Sequence, residues 1–363
     1  MSTLKVDGIR SNSASSDAIT LASNGTCTAN LSNRQNRNLI INGAMKVAQR
    51  GTDATGSGAN GFATVDRFEA QQNGTDAYIE QHQVNVASGT TPYTLGFRKA
   101  FQIKNGTQSS GAGAADYVIM RTELEAQDIA NSGWNYTSAS SYVTLQFWVK
   151  SSVAQNFYGY IRTYDGTAYH YPFETGSLSA NTWTKVTTTI PGNSNLTFNN
   201  DNGVGLQFNL LPFFGTDYTS SSTSLGSWYA TGSGDIYTPD NTTTWYTTAD
   251  STLELTGLQL EVGSVATDFE HKSFSQDFEL CKRYYQKDIS TRAFWGSGNV
   301  SGRQFPVRFE KEMRATPSIS FTNTTIDGGG SFSASQASSQ GYNHYMSSSG
   351  RFFEWRVIAE AEL

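Results

Sequence analysis

The run Leu253-Glu-Leu-Thr-Gly-Leu-Gln-Leu-Glu-Val-Gly263 restricts the fold of this chain more than any other stretch. Leu253 and Leu255 alternate with polar residues, and Leu258, Leu260 and Val262 resume the alternation after a shift of one position. Side chains of a strand point to its two faces in turn. The pattern therefore predicts a buried strand with a bulge at Thr256-Gly257. A short helix is expected over 274–285, carrying Phe274, Phe278, Leu280 and Tyr284. Strand, abrupt exit and helix together read as a boundary between two β-rich regions.

The chain has 363 residues, enough for two or three domains. Only 15% are charged while 13% are aromatic, and Ser, Thr, Asn and Gly fill much of the rest. A helical bundle needs more Glu, Lys, Leu and Ala. A disordered chain lacks such recurrent apolar and aromatic residues. The balance suits antiparallel sandwiches with uncharged polar loops. With a net charge of −6 and no Lys/Arg-rich run, a nucleic-acid groove is not expected. Lys282-Arg283 beside Tyr284-Tyr285 is too small a patch to change that, and its cations are expected to face solvent or pair across the boundary. No apolar run approaches a membrane span, and residues 1–30 lack the apolar centre of a signal peptide, so neither membrane insertion nor Sec export is expected. Cys27 and Cys281 fit no metal spacing and read as reduced thiols.

Residues 1–33 have a texture of their own. Leu4, Val6 and Ile9, then Ile19 and Leu21, stand apart among Ser, Asn, Asp and Gly. Each run is too short to build a core. The segment reads either as a flexible tail or as an intertwined β-structure whose core forms when identical chains wrap together. The recurrence of apolar residues favours the second. Beyond it, strands are expected at 38–43, 64–70, 77–86, 96–103, 117–123, 142–150, 157–164, 169–173, 182–190, 204–211, 227–230 and 253–262. A helical turn is one alternative at 124–131. The clearest alternation is Tyr142-Val-Thr-Leu-Gln-Phe-Trp-Val-Lys150: Val143, Leu145, Phe147 and Val149 share one face, Thr144, Gln146 and Trp148 the other. The region 213–250 lacks periodicity and reads as long surface loops with embedded aromatics. Short strands resume at 294–295, 305–309, 318–322, 331–333, 342–346 and 352–359.

Four pairs of strings carry a resemblance. They are Asn38-Leu-Ile-Ile-Asn-Gly-Ala-Met45 with Val65-Asp-Arg-Phe68; Leu145-Gln-Phe-Trp-Val-Lys-Ser151 with Trp183; Gly257-Leu-Gln-Leu-Glu-Val-Gly263 with Asp268-Phe269; and Cys281-Lys-Arg-Tyr-Tyr-Gln286 with Met313-Arg-Ala-Thr-Pro317. In this order the chain resembles tail-fibre and related virion proteins of tailed bacteriophages over roughly residues 34–320. Their middle domain is similar to jelly-roll carbohydrate-binding modules. The resemblance implies a homotrimeric fibre, an N-terminal segment that docks on a phage tail protein, and distal domains that face the host. It assigns no residue to a receptor site.

Several aromatic groups have two readings. Trp228-Tyr229 and Trp245-Tyr246 are either sugar-stacking platforms or plugs that hold long loops on the sandwich. Packing is the expected role, since large rings are mostly buried. In Tyr164-Asp-Gly-Thr-Ala-Tyr-His-Tyr171 a hairpin turns at Asp165-Gly166, with Tyr169 and Tyr171 on one face and His170 on the other. Either face can line a sugar-binding sheet or serve cross-strand packing. Near the C-terminus Phe353 and Trp355 read as core, whereas Tyr342, His344 and Tyr345 are candidates for receptor contact. Asp66, Glu69, Glu80, Glu254 and Glu261 form no sequence-defined catalytic pair; a structural Ca²⁺ is a weak alternative use for them, and no other cofactor is expected. His82, His170, His271 and His344 lack metal spacing, and no nucleophile, phosphate or dinucleotide motif occurs.

The combined expectation is a mainly β protein in three parts: an extended anchor and trimerising segment (1–33, with Leu4, Val6, Ile9, Ile19 and Leu21), a jelly-roll sandwich (34–272), and a short helix with a small β domain (273–363). The expected function is that of a non-enzymatic virion fibre on the phage tail, made in the bacterial cytoplasm and binding a host surface glycan. A tail-adaptor, nozzle or head fibre without receptor contact is the first alternative, and a glycan-cleaving tail enzyme the second.

Overall fold

The computed structural model describes residues 6–15, 17–21, 23, 27–29, 36–232, 236–291, 303–327, 332–346 and 352–363. The chain is mainly β, built from antiparallel sheets with little helix. Strands β1 (Gly8–Ile9), β2 (Ile19–Leu21) and β3 (Cys27–Ala29) form a small sheet in that order. Val6, Ile9 and Leu21 are exposed there, Ile9 at 51%, while Ile19 is half-buried. Leu4 lies outside the described residues.

Two six-stranded sheets face each other in the middle of the chain. Sheet I runs β14 (Tyr229–Ala230), β11 (Tyr169–Leu178), β10 (Gln155–Thr163), β13 (Val204–Phe214), β8 (Tyr117–Glu125), β5 (Glu69–Asn73). Sheet II runs β12 (Thr184–Pro191), β9 (Tyr142–Ser151), β15 (Thr252–Val262), β7 (Lys99–Lys104), β6 (Glu80–Asn85), β4 (Asp53–Ala54). The chain crosses between the sheets repeatedly, so neighbours in a sheet are mostly distant in sequence. The alternation of β9 acts as expected: Val143, Leu145, Phe147 and Val149 enter the core and meet Leu253, Leu255, Leu258 and Leu260 from β15. Phe147 sets its ring against the face of Phe208 at 5.7 Å, and Phe173 stacks on Phe208 at 6.0 Å. Each such fully buried side chain contributes about 1.5–3 kcal/mol by leaving water. The bulge lies where the leucine pattern changes phase. Pairing of β15 with β9 shifts between Thr256 and Gln259, and Gly257 sits at φ +63°, where a Cβ would come 2.7 Å from the Phe97 ring.

The polar face of β9 is not left to water. Thr144 and Gln146 are buried because residues 263–270 fold back across sheet II. The Gln146 side chain donates to the Thr267 carbonyl at 2.6 Å, Thr267 donates through N (2.8 Å) and Oγ1 (2.6 Å) to Glu261, and Glu270 N donates to Gln259 Oε1 at 2.8 Å.

Several sequence expectations are corrected. Residues 38–43 form no strand. Asn42 takes φ 58°, and Asn38 is used as a plug: its Oδ1 accepts from Ile40 N and Leu260 N, and its Nδ2 donates to Leu258 O. The strand expected from residue 64 starts only at Glu69, since Arg67 is left-handed at φ 71°. Residues 124–131 do hold a turn of helix, α2 (Ala126–Ala130), after α1 (Thr91–Thr94). The region 213–250 is not all surface loop, because α3 (Thr244–Thr247) inserts Trp245 and Tyr246 into the core.

Helix α4 (Phe274–Cys281) is shorter than expected. Ser273 and Gln276 close a capping box at its start, and Tyr285 already begins a strand. Two three-stranded sheets follow: β16 (Tyr285–Thr291), β21 (Phe352–Glu360), β18 (Ser318–Asp327); and β17 (Arg303–Arg308), β20 (Gly341–Met346), β19 (Phe332–Ser338). The strand expected at 294–295 lies outside the described residues. Val307, Phe309, Met313, Tyr342, Val357 and Ala359 are buried between these sheets. This module meets the sandwich through charge. The Glu125 carboxylate accepts from Arg283 Nε and Nη2, both at 2.7 Å, and from the Tyr284 hydroxyl at 2.6 Å. Arg67 pairs with Glu362, Arg50 with Glu360 at 2.7 Å, and Lys46 with Asp277 at 2.8 Å.

Candidate functional site

The side of sheet I that faces away from the core carries a dense collection of planar side chains. It arises from alternation. On β8, Val118, Met120 and Leu124 point inward, which turns Arg121 and Glu123 outward; β13 likewise turns out Gln207 and Asn209, and β10 turns out Tyr158, Tyr160 and Arg162. Register then aligns them. One row is Glu69, Arg121, Asn209, Tyr160, and the next is Glu123, Gln207, Arg162, His170, Tyr229, each residue directly opposite the next.

Hydrogen bonds tie the rows together. Arg121 Nε donates to Asn209 Oδ1 at 3.0 Å, and its Nη1 reaches Glu69 Oε1 at 3.3 Å. Asn209 donates to Gln207 Oε1 at 3.0 Å, and Gln207 donates to Glu123 Oε1 at 2.5 Å. The Arg162 guanidinium lies over the Tyr164 ring at 4.8 Å, and its Nε is buried with no acceptor among the described residues. Residues 215–232 and 236–241 cover one end of the face. Tyr237 stacks on Tyr160 at 4.7 Å, and Tyr229 on His170 at 5.6 Å. Burial pushes the Tyr160 phenol far above its ordinary range. The rest stays accessible: Tyr164 is exposed, and Tyr158, Arg162, Arg121 and Gln71 are half-buried.

Burial pushes the Glu69 carboxyl up to about 7; Arg121 pulls it down, and the Glu123 carboxylate adds to the rise. Glu69 is thus poised between acid and anion near neutral pH. An open strip of this kind offers flat rings for apolar C–H faces, with guanidinium, amide and carboxyl groups beside them for hydroxyls.

The residues singled out in the sequence are dispersed. Tyr169 and Tyr171 turn toward the core, where Tyr171 is buried and Tyr169 half-buried; His170 is the member of that hairpin on the outer face. Trp228 lies at 5.3 Å from Tyr171 and donates Nε1 to the Pro191 carbonyl at 2.8 Å, so it closes the sandwich edge. Tyr229 alone of the four loop aromatics reaches the outer face of sheet I. Trp245 and Tyr246 take the packing role, and as candidate sugar contacts they are corrected: they are fully buried, Tyr246 stacks on Phe213 at 4.3 Å, and neither can meet a sugar. Tyr342 and His344 are corrected likewise, being buried inside the C-terminal module, while Tyr345 is half-buried. Arg121, Glu123, Arg162, Gln207 and Asn209 were not anticipated. The available signal was polar residues in phase opposition within strongly apolar strands.

The other carboxylates have structural partners. Asp66 accepts from Gln49, Glu80 faces His82 and Lys104, and Glu254 pairs with Lys150. Among the described residues no three His, Cys, Asp or Glu side chains gather to hold a metal ion, so the candidate Ca²⁺ ligands are not brought together. Among them, too, no helix is long and apolar enough to cross a membrane.

No family model matches the chain, and no curated protein matches it. Among solved structures, the enzymatically active domain of tailspike protein 4 from bacteriophage CBA120 aligns at 12% identity and a TM-score of 0.32, over 62% of this chain and 22% of that one. The N-terminal cellulose-binding domain of Cellulomonas fimi β-1,4-glucanase C aligns at 12% and 0.28, over 61% and 99%. A family 30 carbohydrate-binding module aligns at 10% and 0.26, over 65% and 90%. Likenesses this slight leave the chemistry to be read from the residues themselves.

Proposed function

We propose that this chain is a non-enzymatic glycan-binding fibre of a phage virion, acting as a homotrimer on the tail. The observation that carries the reading is the open strip of sheet I, where Tyr158, Tyr164, Arg162 and Arg121 stand beside hydrogen-bonding amides and carboxyls. Sugars are bound by this pairing of flat rings and planar polar groups. Shallow sites of that kind are individually weak, and three copies on one fibre convert them into lasting attachment. The exposed Val6, Ile9 and Leu21 support the trimer, because a sheet this small needs a partner surface to bury them. The same segment is the proposed dock for a tail protein.

Binding is favoured over hydrolysis. Glu69 and Glu123 are neighbouring carboxylates, but Glu69 holds Arg121 and Glu123 holds Gln207 within the sheet. A glycosidase needs its pair free to flank a bond.

The test is an array of bacterial surface oligosaccharides probed with the full chain. Arg162→Ala and Tyr164→Ala are each expected to weaken binding about tenfold, with melting unchanged. Full binding by both variants rejects the strip. Release of new reducing ends by the unaltered protein would favour the hydrolase instead. Sedimentation of the full chain as a monomer, or its absence from purified virions, would end the fibre reading.

A further inference from the structure

Sheet II has a concavity of its own, on its outer face and therefore on the opposite side of the sandwich from the strip just described. A cavity of about 370 Å³ opens there between Trp148 on β9, the loop around Phe97 and the returning segment that carries Asp268, Phe269 and His271. Its size falls near the lower end of the range for ligand pockets, about 300–1,000 Å³.

The apolar wall is rigid. Phe97, Phe269 and His271 form a closed triangle of rings, with centroids 4.8, 5.0 and 4.9 Å apart. Gly257 at the bulge leaves room for Phe97, since any side chain there would strike its ring. Trp148 is half-buried and forms the facing wall. It is the largest side chain on the polar phase of an otherwise well-sorted strand.

The rim is polar, and its two charged side chains are unengaged among the described residues. Lys185 stands directly opposite Trp148 in the ladder and has no partner among the described residues, whereas Lys150, two positions along β9, is paired with Glu254 at 2.9 Å. The Asp268 carboxylate also lacks a partner among the described residues; its backbone oxygen alone is engaged, by Arg37 and Gln259. His271 Nε2 must carry the proton, because it bonds the Leu95 carbonyl at 2.8 Å, and burial lowers its pKa. Its Nδ1 is then an acceptor. One cationic donor, one anionic acceptor and one neutral acceptor thus surround an aromatic slot.

We propose that this cavity is a second ligand site, taking the terminal pyranose of a saccharide end-on, with one C–H face on Trp148 and its hydroxyls between Lys185 and Asp268. Bifacial charge at the rim without mutual pairing suits a ligand rich in both donors and acceptors. The aromatic slot suits one flat apolar face. The site shares no residue with the sheet I strip, so each can fail without the other.

The test titrates the full chain with glucose, galactose, N-acetylglucosamine and glucuronic acid in turn. The indole N–H resonance of Trp148 is the readout, assigned by its loss in Trp148→Phe. At least one sugar is expected to shift that resonance and saturate in the millimolar range. Read instead at the Gly257 backbone amide, which lines the same cavity, Trp148→Ala should weaken this binding about tenfold or more, and Trp148→Phe, which keeps a ring, should recover most of it. Lys185→Met, on the surface and harmless to folding, should weaken glucuronic acid more than the neutral sugars. Tyr78→Ala, at an exposed aromatic outside both sites, should change nothing. No shift from any of the four sugars overturns the proposal, as does binding that survives both Trp148→Ala and Lys185→Met.

Discussion

Phe147, Phe173 and Phe208 interlock at the centre of the sandwich, and aliphatic residues from both sheets surround them. The C-terminal module has a smaller core of Val307, Phe309, Met313, Tyr342, Val357 and two alanines, and it is fastened to its neighbour by ion pairs. The first arrangement is intolerant of lost volume. The second depends on every partner remaining charged. The difference bears on function, because the sandwich can devote the outer sides of both sheets to ligands while its stability resides inside.

The largest effect should come from emptying the sandwich core. Trp245→Ala removes a fully buried indole and is expected to cost about 3–5 kcal/mol, seen as a large fall in melting temperature by calorimetry. A variant that melts like the parent and loses glycan binding would return Trp245 to the surface. Next is the junction. Glu125→Ala strands Arg283 and the Tyr284 hydroxyl, and should cost about 3 kcal/mol. Limited proteolysis should then release the C-terminal module first; uniform loss across the chain would contradict the contrast. Gly257→Ala comes third, at roughly 2 kcal/mol, because φ +63° and the Phe97 ring both oppose a side chain. Denaturant unfolding measures it, and a neutral result would mean the bulge can slide.

The smallest effects are in pH, and the two regions should respond with opposite sign. Burial raises Glu69 from 4.5 to about 7, so its folded form holds a proton that the unfolded chain has lost. Its contribution is fully present below pH 4.5 and disappears as pH rises through about 7. His344 is pushed down by burial from 6.5 to about 4. Its contribution is present above pH 6.5 and is lost as pH falls through about 4. Hydrogen exchange should therefore find the C-terminal module loosening in acid while sheet I tightens. Glu69→Gln should flatten the sheet I response and leave the other intact. Parallel responses in both regions would dissolve the comparison.

Much of the architecture is legible in periodicity. The phase change at Thr256-Gly257 located the bulge, Asp165-Gly166 located the hairpin turn, and the alternation of 142–150 identified the inward residues of β9. Asn38 and Asn42 misled, since their side chains replace backbone pairing in a segment that has a strand's composition. Trp245 takes the packing role expected of a large ring, but its polar neighbourhood in sequence hid the short helix that carries it inward.

The sequence by itself determined which residues along each strand share a face, because that follows from the two-residue repeat of the extended backbone. Which strands lie side by side, and hence which outward residues form a surface, was decided only in three dimensions. Glu69, Arg121, Asn209 and Tyr160 come from four distant segments and meet through register alone. Trp148 and Lys185 gain their slot only because residues 263–271 return across sheet II. Pairing between strands is cooperative and long-range, and no local pattern encodes it.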